Sequence, residues 1–178
     1  TFARNTAFLR REYAAVPEDY AYEIPAIFSD AEAAPLLCAG IVGYRAYKRS
    51  EISPGGRLGI YGFGSSAHII MQIARYQRCE VFVATLDERH QNLARSMGAV
   101  WAGPATILPQ KVDSIIVFAP AGELVPLALQ SLRAGGTVSL ADIHMTDIPS
   151  MEYQGCLFHE KNLRSVEANT RADGRELL

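Results

Sequence analysis

Gly62, Gly64 and Ala67 form a G-x-G-x-x-A pattern, the stretch of this chain best suited to holding an anion with backbone alone. An apolar run, Leu58 to Tyr61, precedes it. After it, Ala67, Ile70, Met71 and Ala74 recur at helical spacing. A strand that enters a helix through such a turn leaves the first peptide nitrogens of the helix without partners, and these suit a diphosphate. Gly62 would permit the tight turn, Gly64 would let Phe63 and its own backbone approach the phosphates, and Ala67 would keep the helix close to the sheet. The bland alternative is an ordinary strand-to-helix turn. Ser65 and Ser66 either add hydroxyl donors or cap the helix.

A dinucleotide site also needs a reader of the adenosine ribose at the tip of the next strand, about 20 residues on. That tip is Thr85-Leu86-Asp87-Glu88-Arg89. A carboxylate in place of Thr85 would bind both ribose hydroxyls and repel a 2'-phosphate. Thr85 does neither strongly and Arg89 suits a phosphate, so the reading leans to NADP over NAD. Asp87 could equally reach the ribose, or the three charged residues are a solvated first helical turn. Phe118 and Ala119, ending one strand, and Asp142 and Ile143, past the next, are the candidates for the nicotinamide side, since ligands of open α/β sheets bind at carboxyl ends of strands.

The elements that must position these residues alternate. Strands are expected at Leu58 to Tyr61, Val81 to Thr85, Val100 to Ala102, Ser114 to Ala119, Thr137 to Ala141 and Leu163 to Ala168. Helices are expected at Ala67 to Arg75, at Glu88 to Met97 with Leu93, Ala94 and Met97 on one face, and at Leu124 to Leu132, ended by Gly135-Gly136. Another is expected to run from the cap Ser29-Asp30-Ala31-Glu32 toward Tyr47, stopped by Ser53-Pro54-Gly55-Gly56. Strands apolar on both faces and joined by short helical crossovers predict a doubly wound parallel sheet, a Rossmann fold, over 29–178. Residues 1–28 look like a remnant or linker, with Glu12 to Val16 its only plausible strand.

Composition narrows the class. With 49% hydrophobic and 20% charged residues the chain of 178 residues can bury a core, which excludes a disordered or fibrous protein. A formal charge of −2 gives no footprint for nucleic acid or anionic lipid, and the longest apolar stretch is too short to cross a bilayer. Three scattered cysteines, Cys38, Cys79 and Cys156, argue for a reducing compartment, and a cytoplasmic protein is expected. His68 reads as packed or surface, and His90, His144 and His159 have no ligand spacing. A serine hydrolase is excluded, because Gly64-Ser65-Ser66-Ala67 lacks a nucleophile elbow.

The sequence resembles the nucleotide-binding half of the zinc-dependent alcohol dehydrogenases, in the medium-chain dehydrogenase/reductase superfamily. The resemblance rests on Val16-Pro17-Glu18-Asp19-Tyr20, Ile24-Pro25, Ala33 to Ile41, Tyr61 to Gly64, Leu132 to Leu140 and Ser165 to Gly174, nearly the whole chain. It implies an NADP- or NAD-dependent oxidoreductase that passes hydride between nicotinamide and an alcohol or aldehyde, with Cys38 as one ligand of a catalytic zinc in the intact enzyme. It also implies a homodimer through the last strand, near Glu167. Val42 departs from the hydroxyl-bearing residue common there, which removes any proton relay at that position. A catalytic domain with most zinc ligands and a C-terminal return segment are not in this sequence, so the chain is read as a fragment, inactive alone and holding no tight zinc. The alternatives are a non-catalytic nucleotide-binding module of the same fold and, more distantly, a methyltransferase.

Overall fold

The computed structural model describes residues 15–167 and 169–178. Its strands are β1 (Arg57–Tyr61), β2 (Glu80–Ala84), β3 (Trp101–Gly103), β4 (Val112–Val117), β5 (Leu132–Leu140) and β6 (Asn162–Ser165). They form one six-stranded sheet in the order β3-β2-β1-β4-β5-β6, and every neighbouring pair is parallel. From β1 the chain steps outward to β2 and β3, then returns to β4 on the other flank of β1. The order reverses between β1 and β4.

Burial explains why these runs are strands. Leu58, Ile60, Val81, Val83 and Ile116 face one layer; Tyr61, Phe82, Ala84, Ile115 and Val117 face the other, as a period of two requires. Helices α2 (Ala39–Arg49), α3 (Ser65–Tyr76) and α4 (Glu88–Ser96) cover the first face with small residues, Ala46, Ala67, Ala74 and Ala94. Helix α5 (Leu124–Ser131) and the short α6 (Tyr153–Cys156) cover the second, through Val125, Ala128, Leu129 and Cys156. Each large side chain fully buried in these layers contributes about 1.5–3 kcal/mol. Helix α7 (Arg171–Leu177) closes against α2, where Gly40 leaves room for Leu177.

Three expectations are corrected. The helix expected from Ser29 toward Tyr47 is broken: Ser29 does cap α1 (Asp30–Ala33) through a full capping box with Glu32, but a 3-10 turn, Ala34–Leu37, follows and α2 starts only after Cys38. Pro35 supplies no amide and its ring collides with the carbonyl four residues back. Gly135 and Gly136 do not end α5, which stops at Ser131; they lie inside β5. There the register jumps, Val112 pairing with Leu132 but Ser114 with Thr137, and Gly135 takes φ +72° in the bulge. Leu93 is 39% exposed while Ala94 beside it is fully buried, so the two do not share one buried face. The strand expected at Glu12 to Val16 lies outside the described residues up to position 14, and Val16 is not in a strand; Ala168 also lies outside them.

Candidate functional site

The glycine turn sits where the strand order reverses. Gly62 adopts φ +84°, and a Cβ there would fall 2.9 Å from the Ala119 nitrogen, so only glycine fits between the ends of β1 and β4. Its amide donates to the Ala84 carbonyl at 2.9 Å, and the Phe118 amide donates to the Tyr61 carbonyl at 2.8 Å. Both bonds tie the turn to its neighbouring strands. Gly64 is the opposite case: its φ of −95° suits any residue, and a Cβ there would meet nothing within 4 Å. It faces open space.

Gly64 is also the N-cap of α3, and no side chain caps that helix. The amides of Gly64, Ser65 and Ser66 precede any intrahelical acceptor, and among the described residues none has another partner. Ser65 and Ser66 are therefore not caps, and their hydroxyls have no hydrogen-bond partner among the described residues. Phe63 is 2% exposed and packs against His68 with centroids 4.5 Å apart and the rings tilted by 57°, so its backbone alone faces the opening. His68 Nε2 is buried without a partner, and burial, with the charge of His90 beside it, pushes this imidazole below its ordinary pKa. It packs behind the turn.

At the β2 tip Thr85 is 7% exposed, its amide bonded to Gly103 and its carbonyl to Gln91. Asp87 caps α4 by accepting from the Arg89 amide at 2.8 Å, and also holds the Arg89 guanidinium at 2.7 Å. Hydrogen bonds from Arg89 pull the Asp87 carboxyl down to about 2, and the same pair raises Arg89. The sequence offered Arg89 for a 2'-phosphate and Asp87 for the ribose, or both as a solvated first helical turn. The structure shows them bound to each other, an arrangement that a residue and its second neighbour adopt at a helix start. Phe118 and Ala119 follow β4 directly, and Asp142 and Ile143 follow β5, with Ile143 89% exposed and Asp142 accepting from the His144 amide at 2.8 Å. All four lie at the carboxyl edge of the sheet, as the glycine turn does.

Cys38 is exposed, between the 3-10 turn and α2. Among the described residues no three His, Cys, Asp or Glu side chains gather to hold a metal ion. One thiol does not make a zinc site. No described helix is long and apolar enough to cross a membrane.

One polar cluster escaped the sequence reading. Asp173 of α7 is fully buried, caps its own helix start through Thr170, and pairs with Arg45 at 3.5 Å and Lys48 at 3.3 Å on α2. Burial opposes its ionisation, yet the bonds from Thr170 and Lys48 and the charge of Arg45 outweigh that and hold the carboxyl below its ordinary range. The T-x-x-D spacing announced the cap; its ion partners, over 120 residues earlier, had no local signal.

A parallel sheet of this order, with a glycine turn at the reversal, defines the Rossmann class of nucleotide-binding folds. No family model matches the chain. Among curated proteins it is 50% identical over 165 residues to "Probable alcohol dehydrogenase AdhA" of Mycobacterium tuberculosis, an alignment covering 92% of this chain and 48% of that protein. Among solved structures, a cinnamyl alcohol dehydrogenase of Sorghum bicolor superimposes with a TM-score of 0.79 at 23% identity, over 91% of this chain and 48% of the other. Acetophenone reductase of Geotrichum candidum, in complex with NAD, does so with 0.77 at 22% identity, over 88% and 46%. The chain is thus homologous to alcohol dehydrogenases along nearly its whole length, and it spans about half the length of the relatives it matches.

Proposed function

We propose that this chain is the cofactor-binding part of a zinc-type alcohol dehydrogenase, binding NADP or NAD across the carboxyl edge of the sheet where β1 and β4 diverge. The observation that carries this reading is the turn itself, three unpartnered amides at Gly64, Ser65 and Ser66 opening on space that no side chain fills. Such amides at a helix start are worth most to a diphosphate, because the helix dipole adds to their hydrogen bonds. Homology to alcohol dehydrogenases, and the NAD in acetophenone reductase, support a dinucleotide over another phosphate ligand.

Within this reading the backbone of Phe63 to Ser66 holds the diphosphate, Thr85 borders the adenosine ribose, and Arg89 meets a 2'-phosphate after leaving Asp87. Phe118, Ala119, Asp142 and Ile143 flank the nicotinamide. When bound, that ring supplies the site that accepts or gives hydride. The substrate is an alcohol or aldehyde. Cys38 would contribute one thiolate to a zinc site completed by residues outside those described, so this chain alone binds cofactor without turnover. The outer edge of β6 pairs with a second copy in the assembled enzyme, and the free thiols suit a cytoplasmic protein.

Fluorescence titration with NADPH and NADH tests the reading. Saturable binding is expected, weakened about 100-fold by Gly64→Val with stability unchanged to within about 0.5 kcal/mol, since that side chain fills only the ligand's space. Absence of saturable binding, or binding indifferent to Gly64→Val, overturns it. The alternative, a module that binds nucleotide without any turnover, separates on activity of the full-length protein with alcohols and aldehydes.

A further inference from the structure

The sheet has a second edge, at the amino ends of its strands. Lys111 precedes β4, Arg133 lies at the start of β5 and Lys161 precedes β6, so the amino ends of three strands bring three cations together. They line a hollow of about 440 Å³ with Leu132, Ala134, Gly155 and His159. No carboxylate is part of that wall. Asp113 is committed to Arg133 at 2.8 Å and to the Arg57 amide at 2.7 Å, and Glu152, near Gly155, is in no ion pair among the described residues. The glycine turn lies beyond the far end of β4, about 20 Å away at 3.3 Å per residue.

We infer that this hollow binds a phosphate-bearing small anion between Lys111, Arg133 and Lys161, at a site separate from the glycine turn. The lysines have a structural duty: Lys161 Nζ donates to the Leu129 and Gly155 carbonyls at 2.7 and 2.8 Å, and Lys111 Nζ donates to the Gln130 carbonyl, which closes the end of α5. That duty uses three of their six ammonium protons, and Arg133 commits its Nε to Asp113 at 2.8 Å, which leaves its terminal guanidinium nitrogens. The remaining donors have no hydrogen-bond acceptor among the described residues, and Asp113 answers only part of the cluster's charge. Burial and the Lys111 charge push Lys161 below the ordinary lysine pKa, a cost that a bound dianion relieves. His159, edge-on to Phe158 at 5.2 Å, adds an aromatic wall for the organic part of a phosphomonoester.

The test is calorimetric melting of the full chain against inorganic phosphate, with ionic strength held by sodium chloride. A saturable rise is expected, about 5–10 °C at one hundred times Kd. Lys161→Met and Lys111→Met should each weaken the phosphate response at least tenfold, and Gly64→Val should leave it intact. Lys161 closes a helix, so Lys111, exposed and making one such bond, is the variant that keeps the test valid should Lys161→Met fail to fold. A rise that chloride reproduces, one that survives Lys111→Met, or one that Gly64→Val abolishes would overturn the proposal. The last outcome would assign phosphate to the glycine turn and leave the cofactor reading standing.

Discussion

The glycine turn and the α2–α7 junction are both polar clusters at helix starts, yet they are finished differently. At the junction every charge is answered inside the chain: Asp173 by Thr170, Arg45 and Lys48, and Glu176 by Lys48 at 2.8 Å and the Tyr44 hydroxyl at 3.1 Å. At the turn, three amides are left open and the residue beside them has no side chain. A cluster answered internally holds the fold together. One left open beside empty space keeps its donors for water or for the ligand proposed above.

Substitutions can break that contrast from either side. The largest effect is expected from Asp173→Ala, which strips a buried carboxylate from two cations and removes a cap; unfolding in urea should show a loss of about 3 kcal/mol. Next is Gly62→Ala, where a left-handed φ and the Ala119 backbone both resist a side chain; a loss of about 1–3 kcal/mol is expected, along with cofactor binding. Unlike Gly64, it is a fold position first.

The junction also predicts a pH dependence. The folded carboxyl of Asp173 titrates below its unfolded value, so its contribution is present above the unfolded pKa and lost as pH falls through the folded one. The margin of wild type over Asp173→Asn in urea melts should be full above about pH 5 and shrink below about pH 4. A margin that grew on acidification would reverse the sign. The smallest effect is expected at Arg89, 90% exposed: Arg89→Ala should weaken NADPH about five- to tenfold and leave NADH unchanged. Equal losses would remove the 2'-phosphate role.

The sheet was legible because its signal is local. Apolar runs such as Val81 to Thr85 and Ser114 to Ala119 place strands within a residue or two, and parallel crossovers leave few topologies. The glycine turn was legible because Gly62 is forced by backbone geometry. What the sequence did not disclose depends on which side chains meet. Pro35 broke a helix whose cap, Ser29, was correctly placed; Gly135, a plausible helix stop, instead absorbs a register shift set by β4. Asp87 and Arg89 were both visible, but their mutual ion pair depends on rotamers. The pairing of Asp173 with α2 and the grouping of Lys111, Arg133 and Lys161 arise only when distant segments are brought side by side.

Titrating NADPH into isotopically labelled chain, with backbone amide resonances followed residue by residue, tests the central claim most directly. The amides of Gly64, Ser65 and Ser66 should move first and furthest, with one saturation curve shared by Thr85 and Ala119. Stationary resonances at these three positions while others shift and saturate would show that the nucleotide rests elsewhere, and that the open turn is only an uncapped helix.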